Sequence, residues 1–541
     1  MRKKTFYFLL VIFACVFAVK FLLTLLYYGP TIIPDEGCII ETSKYFANNF
    51  KIVKCGDITN APHGYISPLV TILFSVFYLF LAPLKAYKAI LIFHSLIVSS
   101  LVFPLYGILK KFKIKDRLIF LFTILILFVP QFLVYEKSVM TETLFAVTNV
   151  WFLYFYINSF DRKKKKNKII SIILAVIAVF MRPYGFLTLF ALAVNEFIVS
   201  KRKKVAAIIF IPVLGVILIP ALLIYSDILA NLFQKGLSIF DFDNFKGFVE
   251  SIINQFNSLS IATLSIPLII FASRFGKSGF KHFEKIKYFL LSFIFINLLI
   301  STQHMYGYFL EYGMQPDLLF RYINVSIIFV LIFSTVFLLK YKEFRLDRKN
   351  MIISAVVLLL LLFVNVEFYR RQFVFEYSHL DYFPFYYSYY LFLVIVLFVL
   401  LINNFRKALI SLIFAILMIH SVFGIAVTSK YSSDVQQLNP IYQEFKYEDY
   451  EILYILNSAV GQFPSTYWSV LTLTNNDIQT AFYDLQKQGE SSKISELYLL
   501  NEEVEKVDVK LEDFDYIITD LDLDLPIYMK STFSKVYETK K

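Results

Sequence analysis

"GPTIIPDEGCIIETSKYFANNF", residues 29–50, opens on Gly-Pro, sets the adjacent carboxylates Asp35 and Glu36 behind Pro34, and continues with the spacing of a helix. It follows an apolar run, residues 5–28, that exceeds the ~20 residues needed to cross a bilayer. The run begins behind the basic start MRKK, is longer than the core of a secretory leader and lacks a small-x-small cleavage site. It reads as a retained first span with its basic end in the cytoplasm. The quoted stretch then opens the first extracytoplasmic loop, residues 29–64, and its two carboxylates stand at the rim of a membrane. They read either as helix amino-terminal residues complementing the helix dipole or as part of a site.

The rest of the chain has the same character. Of 541 residues 58% are hydrophobic, 61 are Phe and 37 are Tyr, and apolar runs of membrane-spanning length recur. This composition is that of an integral membrane protein. Residues 431–541 hold 20 acidic residues against nine lysines, a net of −11, so residues 1–430 carry +23 of the overall +12. The positive charge lies in a membrane-embedded part, so it marks cytoplasmic loops rather than a nucleic-acid surface. The acidic part is a separate tail domain. Of three cysteines, Cys15 lies in the first span, while Cys38 and Cys55 share the first loop and are either a disulfide or two free thiols.

Basic clusters fix the expected topology: 110–117, 161–168, 201–204, 274–287, 340–349 and Arg406-Lys407. If each faces the cytoplasm, the intervals between them hold even numbers of spans. Residues 118–160 make two, broken at "VPQFLVYEKSVMTE"; 169–200 make two short ones around "MRPYG"; 205–273, 288–339 and 351–405 make two each; 408–427 makes the last. Only one of the stretches 65–84 and 86–109 crosses, and the first, with Pro68 and Pro83, reads as interfacial or re-entrant. The expectation is an all-α polytopic protein of about 13 spans over residues 1–430, amino terminus inside, and a small extracytoplasmic α/β domain over 431–541.

This topology brings Asp35, Glu36, His63, Glu136, Lys137, Glu142, Arg182, His304, Asp317 and Arg321 to one face. Ionisable groups at membrane depth are costly and mark functional cavities. Taken singly, each has a plainer reading: Glu142 starts a helix, the histidines are structural, and the arginines anchor at headgroups. Together they outline one cavity open to the outside.

The order "PDEG", "APHGYISPL", "YEKSVMTETLF", "MRPYGFL" and "DLLFRY" resembles the GT-C membrane glycosyltransferases, over roughly residues 5–340. The branch it is most similar to uses polyprenyl-phosphate-linked sugars, as do the protein O-mannosyltransferases and the aminoarabinose transferase. The family's His-Pro-Pro is here His63-Gly64-Tyr65, a departure that bears on the role of His63. The resemblance implies a multi-pass cell-membrane enzyme whose partners are a polyprenyl-phosphate sugar, an acceptor outside the cytoplasm, and the bilayer.

It further implies that Asp35 is the general base, since an acceptor hydroxyl must lose its proton as it attacks the anomeric carbon. Direct attack inverts configuration. Glu36, on the same element, points away from its neighbour and does not complete a glycosidase pair; it is expected in the catalytic site beside Asp35, where it or Glu142 orients the acceptor. Arg321, Arg182 and Lys137 are expected at the donor phosphate, where cations offset charge on the leaving group. His63, Glu142 and His304 are expected around acceptor or sugar. No ligand cluster demands a metal, and a divalent cation held by Glu36 or Glu142 stays open.

The absence of a phosphate-binding loop and of a strand-borne GxGxxG argues against a nucleotide substrate. "DFD" at 241–243 and "DLDLD" at 520–524 imitate a nucleotide-sugar motif without its soluble domain. In the tail, 447–460 and 476–488 read as helices, and 467–473, 495–500, 515–519 and 533–539 as strands. The rival classes are a lipid-linked glycan flippase, which wants ionisable groups at the midplane or internal repeats, and a polysaccharide polymerase or ligase.

Overall fold

The structure is a computed structural model that describes residues 3–27, 34–53, 67–133, 135–161, 165–199, 280–312 and 323–340, scattered positions between 215 and 272, and seven strands of the tail. Two compact units divide it: residues 1–20, 95–135 and 141–427 form one, and residues 21–94, 136–140 and 428–541 the other.

Among the described residues two helices are long and apolar enough to cross a membrane, Lys3–Leu26 and Pro83–Lys111. A third candidate is the bent pair Asp116–Leu127 and Gln131–Lys137, which turns by 61° at Pro130, where a proline lacks the donor that continues a helix. The helix Pro68–Phe80 has 13 residues. At ~1.5 Å per residue it falls short of the ~30 Å hydrocarbon layer. Pro68 starts it and Pro83 starts the next helix, so the two prolines bracket the segment that the sequence sets apart as non-spanning.

The breaks expected at 129–142 and at "MRPYG" are both present. Helices Asp116–Leu127 and Thr141–Ser159 flank the first, and Lys165–Met181 and Phe186–Val199 flank the second. Gly185 is required in that second turn because a Cβ there would sit 1.8 Å from the Ala178 carbonyl oxygen. The helix Lys287–Tyr312 carries on past His304 into the stretch between the two spans expected over 288–339. The stretch is rich in Tyr, Phe and Leu and has no proline before Pro316, so nothing local stops the helix.

The larger helical unit buries one continuous core, in which Phe289 packs on Phe152, Tyr156, Phe293 and Phe329 with centroids 5.1–6.0 Å apart. Polar side chains tie its helices at depth: Thr188 Oγ1 donates to Asn149 Oδ1 at 2.8 Å and Ser326 Oγ to Asn297 Oδ1 at 2.7 Å. Such bonds hold helices where the lipid offers no hydrophobic drive for association. Asn195 is a node, donating to Tyr156 Oη and the Lys285 carbonyl and accepting from the Phe289 N–H.

In the tail, five strands form a mixed sheet of order β2-β1-β5-β7-β6. β1 (Glu451–Asn457) runs parallel to β2 (Asp477–Tyr483) and β5 (Tyr516–Thr519), and β7 (Lys535–Glu538) antiparallel to β5 and β6 (Ile527–Lys530). β3 (Tyr498–Leu500) and β4 (Lys506–Asp508) make a separate antiparallel pair. β1 and β2 correct the helical reading of 447–460 and 476–488. "EILYILN" is a central strand flanked on both sides, whose near-continuous apolar run cannot be told from a helix by period, and "DIQTAFY" alternates Ile478, Thr480 and Phe482 with its other residues. Strands β3, β5 and β7 fall within stretches expected as strands, and 467–473 lies outside the described residues.

Candidate functional site

Two clusters of buried ionisable side chains stand where the sequence places the outer face, one in each unit. The first is built on the helix Pro34–Asn49. Pro34 at its first position is pre-set for a helical φ and carries no orphan donor. Asp35 is its second residue, with a side chain outside the described residues. Glu36, next along, is buried, and its Oε1 accepts from the Val139 N–H at 2.7 Å and from Tyr87 Oη at 3.1 Å. One carboxylate oxygen thus ties the loop helix to the helix Pro83–Ser100 and to the segment 136–140.

That segment carries the second part of the cluster. A 3-10 turn, Tyr135–Lys137, sets Lys137 beside Glu136, with Nζ 2.9 Å from Glu136 Oε1 and 2.6 Å from Thr24 Oγ1. Both members of the pair are at most 1% exposed. Lys88 donates to the Tyr27 carbonyl. Thr42 and Thr71 meet at 3.3 Å and fix the loop helix against Pro68–Phe80. Cys38 is disulfide-bonded and Cys15 is free; Cys55 lies outside the described residues.

The other unit carries the second cluster. Arg182, in the extended residue before the turn Pro183–Gly185, places Nη2 2.9 Å from Glu142 Oε1 and its guanidinium 5.5 Å from the centre of the Tyr184 ring. Glu142 lies in the first turn of Thr141–Ser159, where the helix dipole favours a carboxylate, and Thr141 Oγ1 is 3.4 Å from its Oε2. Both Arg182 and Glu142 are buried.

The structure therefore joins Lys137 to Glu136, and Arg182 to Glu142, each as a buried cation with one carboxylate. His304 lies in the helix Lys287–Tyr312 with a side chain outside the described residues, as are His63, Asp317 and Arg321 altogether. Among the described residues no three His, Cys, Asp or Glu group to hold a metal. Sequence reasoning missed Tyr87, Thr24 and Lys20. Lys20 is buried inside the first helix with Nζ 5.1 Å from the Phe128 ring centre, and an ammonium in the middle of an apolar run is the signal that could have found it.

No protein-family model matches the sequence, and no curated protein does. Solved structures do. The chain is similar to ArnT from Cupriavidus metallidurans bound to undecaprenyl phosphate, with a TM-score of 0.55 over 98% of both chains at 12% identity. It matches the same protein in the apo state at a TM-score of 0.52 and 14% identity, again over 98% of both chains. The chain has the fold of ArnT. The first-loop helix, the segment 136–140 and the turn 182–185 are the parts of this ArnT-like fold on which the buried pairs are mounted.

Proposed function

We propose that this chain is an integral membrane glycosyltransferase that moves a sugar from a polyprenyl-phosphate donor to a nucleophile on the extracytoplasmic face. The observation that carries the reading is the end-to-end likeness to ArnT, a protein solved with undecaprenyl phosphate bound. Buried ionic groups beside spans of an apolar fold support it, because such groups persist where they serve a function. The paired groups favour an enzyme over a flippase, since Lys137 with Glu136 and Arg182 with Glu142 lie at connecting turns and a helix start.

In this reading Asp35 takes the acceptor proton as the hydroxyl attacks the anomeric carbon, the bond from that carbon to the phosphate oxygen breaks, and the sugar inverts. Glu36, held by two protein donors, fixes the helix that carries Asp35. Arg321, Arg182 and Lys137 face the donor phosphate, and the carboxylates Glu142 and Glu136 keep two of these cations ordered before the lipid arrives. His63, Glu142 and His304 bound the acceptor and sugar. The amino terminus is cytoplasmic, and residues 431–541 form an outer domain after a transmembrane part of about 13 spans.

The test is native mass spectrometry of lipid retained by the gently purified chain, with Arg321→Ala and Asp35→Asn alongside. The reading expects a polyprenyl-phosphate adduct that is lost in R321A and kept in D35N, the latter inactive with the sugar so identified. Retention of bulk phospholipid alone would overturn the donor assignment, and a fully active D35N would remove Asp35 as the base.

A further inference from the structure

A third group of charged residues plays no part in the proposed reaction. Lys111 ends the apolar helix that begins at Pro83, Asp161 follows the helix Thr141–Ser159, and the short turn Lys281–Glu284 with Lys285 precedes the helix Lys287–Tyr312. All lie in the larger helical unit, at helix ends, and belong to the basic clusters that the sequence places on the cytoplasmic side. His282 stands among them, facing Lys111, Asp161, Lys281 and Lys285. Its Nδ1 is buried and makes no hydrogen bond among the described residues.

Among the described residues the charge here does not balance. Lys111 is matched by Asp161 at 2.6 Å, and Lys287 by Glu284 at 2.7 Å. Lys285 has its Nζ 5.0 Å from the Phe160 ring centre, and Lys281, exposed, makes no ion pair among the described residues. Two ammoniums and an imidazole with a buried, unsatisfied nitrogen remain. Aromatic side chains of the same turn pack into the core: Phe280 on Phe112 at 6.0 Å and on Phe337 at 6.2 Å, and Phe283 on Phe337 at 4.9 Å. Cations over aromatic surface, level with the end of a membrane-crossing helix, are the surroundings in which lipid phosphates lie.

We propose that this corner, bounded by Lys281, His282 and Lys285, binds the phosphate headgroup of a single anionic phospholipid. The phosphate complements the two unmatched lysines, and the imidazole, whose Nδ1 is buried, donates to it through Nε2 when protonated. Burial, and after it the Lys111 ammonium, hold His282 below the ordinary histidine range, with Lys285 and Lys281 adding to the effect and Asp161 opposing it. A bound anion favours the imidazolium. Binding therefore takes up a proton and tightens as pH falls through the histidine range, a signature that lysines alone do not give.

The test titrates the full chain in detergent with phosphatidylglycerol or phosphatidylcholine and counts adducts by native mass spectrometry at pH 7.4 and 6.0. Neither headgroup titrates in this range. The expected result is preferential retention of phosphatidylglycerol, stronger at pH 6.0. Lys281→Gln with Lys285→Gln should weaken it by about tenfold or more, from roughly fivefold per lysine, and His282→Gln should abolish the pH dependence while retaining pH 7.4 binding. Equal retention of the two lipids, or variants that behave as wild type, overturns the proposal. Displacement of the lipid by millimolar sulfate overturns it in favour of a soluble-anion site. The result is independent of the glycosyltransferase reading, because a polyprenyl phosphate and phosphatidylglycerol differ in mass.

Discussion

The guanidinium of Arg182 and the carboxylate of Glu142 lie 2.9 Å apart, buried together, and join the turn after one helix to the first turn of another. Removing one member leaves a buried charge unmatched, which costs about 3–5 kcal/mol, whereas replacing both by apolar residues of similar size is often near neutral. Glu142→Leu and Arg182→Met are each expected to destabilise strongly. Arg182→Met with Glu142→Leu should recover most of the stability while transfer stays lost. Thermal unfolding of wild type, the two single variants and the double variant as a double-mutant cycle checks this; simple additivity would show that the pair is not coupled.

Gly185 controls the same turn from the backbone. A methyl group at this position meets the Ala178 carbonyl oxygen at 1.8 Å, and backbone cannot step aside as a side chain does. Gly185→Ala should destabilise by about 1–3 kcal/mol or more and shift Arg182 off Glu142. Thermal stability of G185A matching wild type would show that the helix Lys165–Met181 yields without cost.

Glu36 acts through geometry. Tyr87→Phe deletes one donor to its Oε1 and should cost about 1 kcal/mol. Glu36→Ala strands both the Val139 N–H and Tyr87 Oη and should cost more, while Glu36→Gln keeps a carbonyl acceptor and stays close to wild type in stability. Equal stability of E36A and E36Q, by the same thermal measurement, would remove Glu36 as the tie.

Glu41, on the polar loop helix, gives a pH dependence of definite sign. Burial raises its carboxyl above the ordinary range, and Lys44, 2.9 Å away, only partly offsets this. The folded chain therefore holds a proton that the unfolded chain releases. The stability contributed by this group is complete below the ordinary carboxylate range and is lost as pH rises through the raised value. Glu41→Gln should match wild type in acid and exceed it toward neutral pH, as read by unfolding between pH 4 and 7. A gap of the opposite sign would mean that the Lys44 pair dominates.

Much of the arrangement was legible because its signals are local. Pro34 starts the loop helix, Pro68 and Pro83 bracket the short one, and "MRPYG" breaks a run that would otherwise continue. The charged candidates Lys137, Glu142 and Arg182 could be named because charge is rare in such a chain. Their partners were harder to name. Arg182 and Glu142 are 40 positions apart in the chain and Tyr87 and Glu36 are 51 apart, and no spacing rule reaches that far. β1 and β2 were misread for a physical reason: a short apolar run has no period of its own until neighbouring strands supply hydrogen bonds on either side.

The order of the tail sheet has a consequence for biosynthesis. β7, residues 535–538, lies between β5 and β6, so the latest in sequence of the described strands is an inner one. Until it emerges, β5 lacks one neighbour and β6 lacks its only one. The sheet cannot close progressively behind the ribosome, and a message truncated by even a few codons before residue 535 yields a protein with two unpaired strand edges.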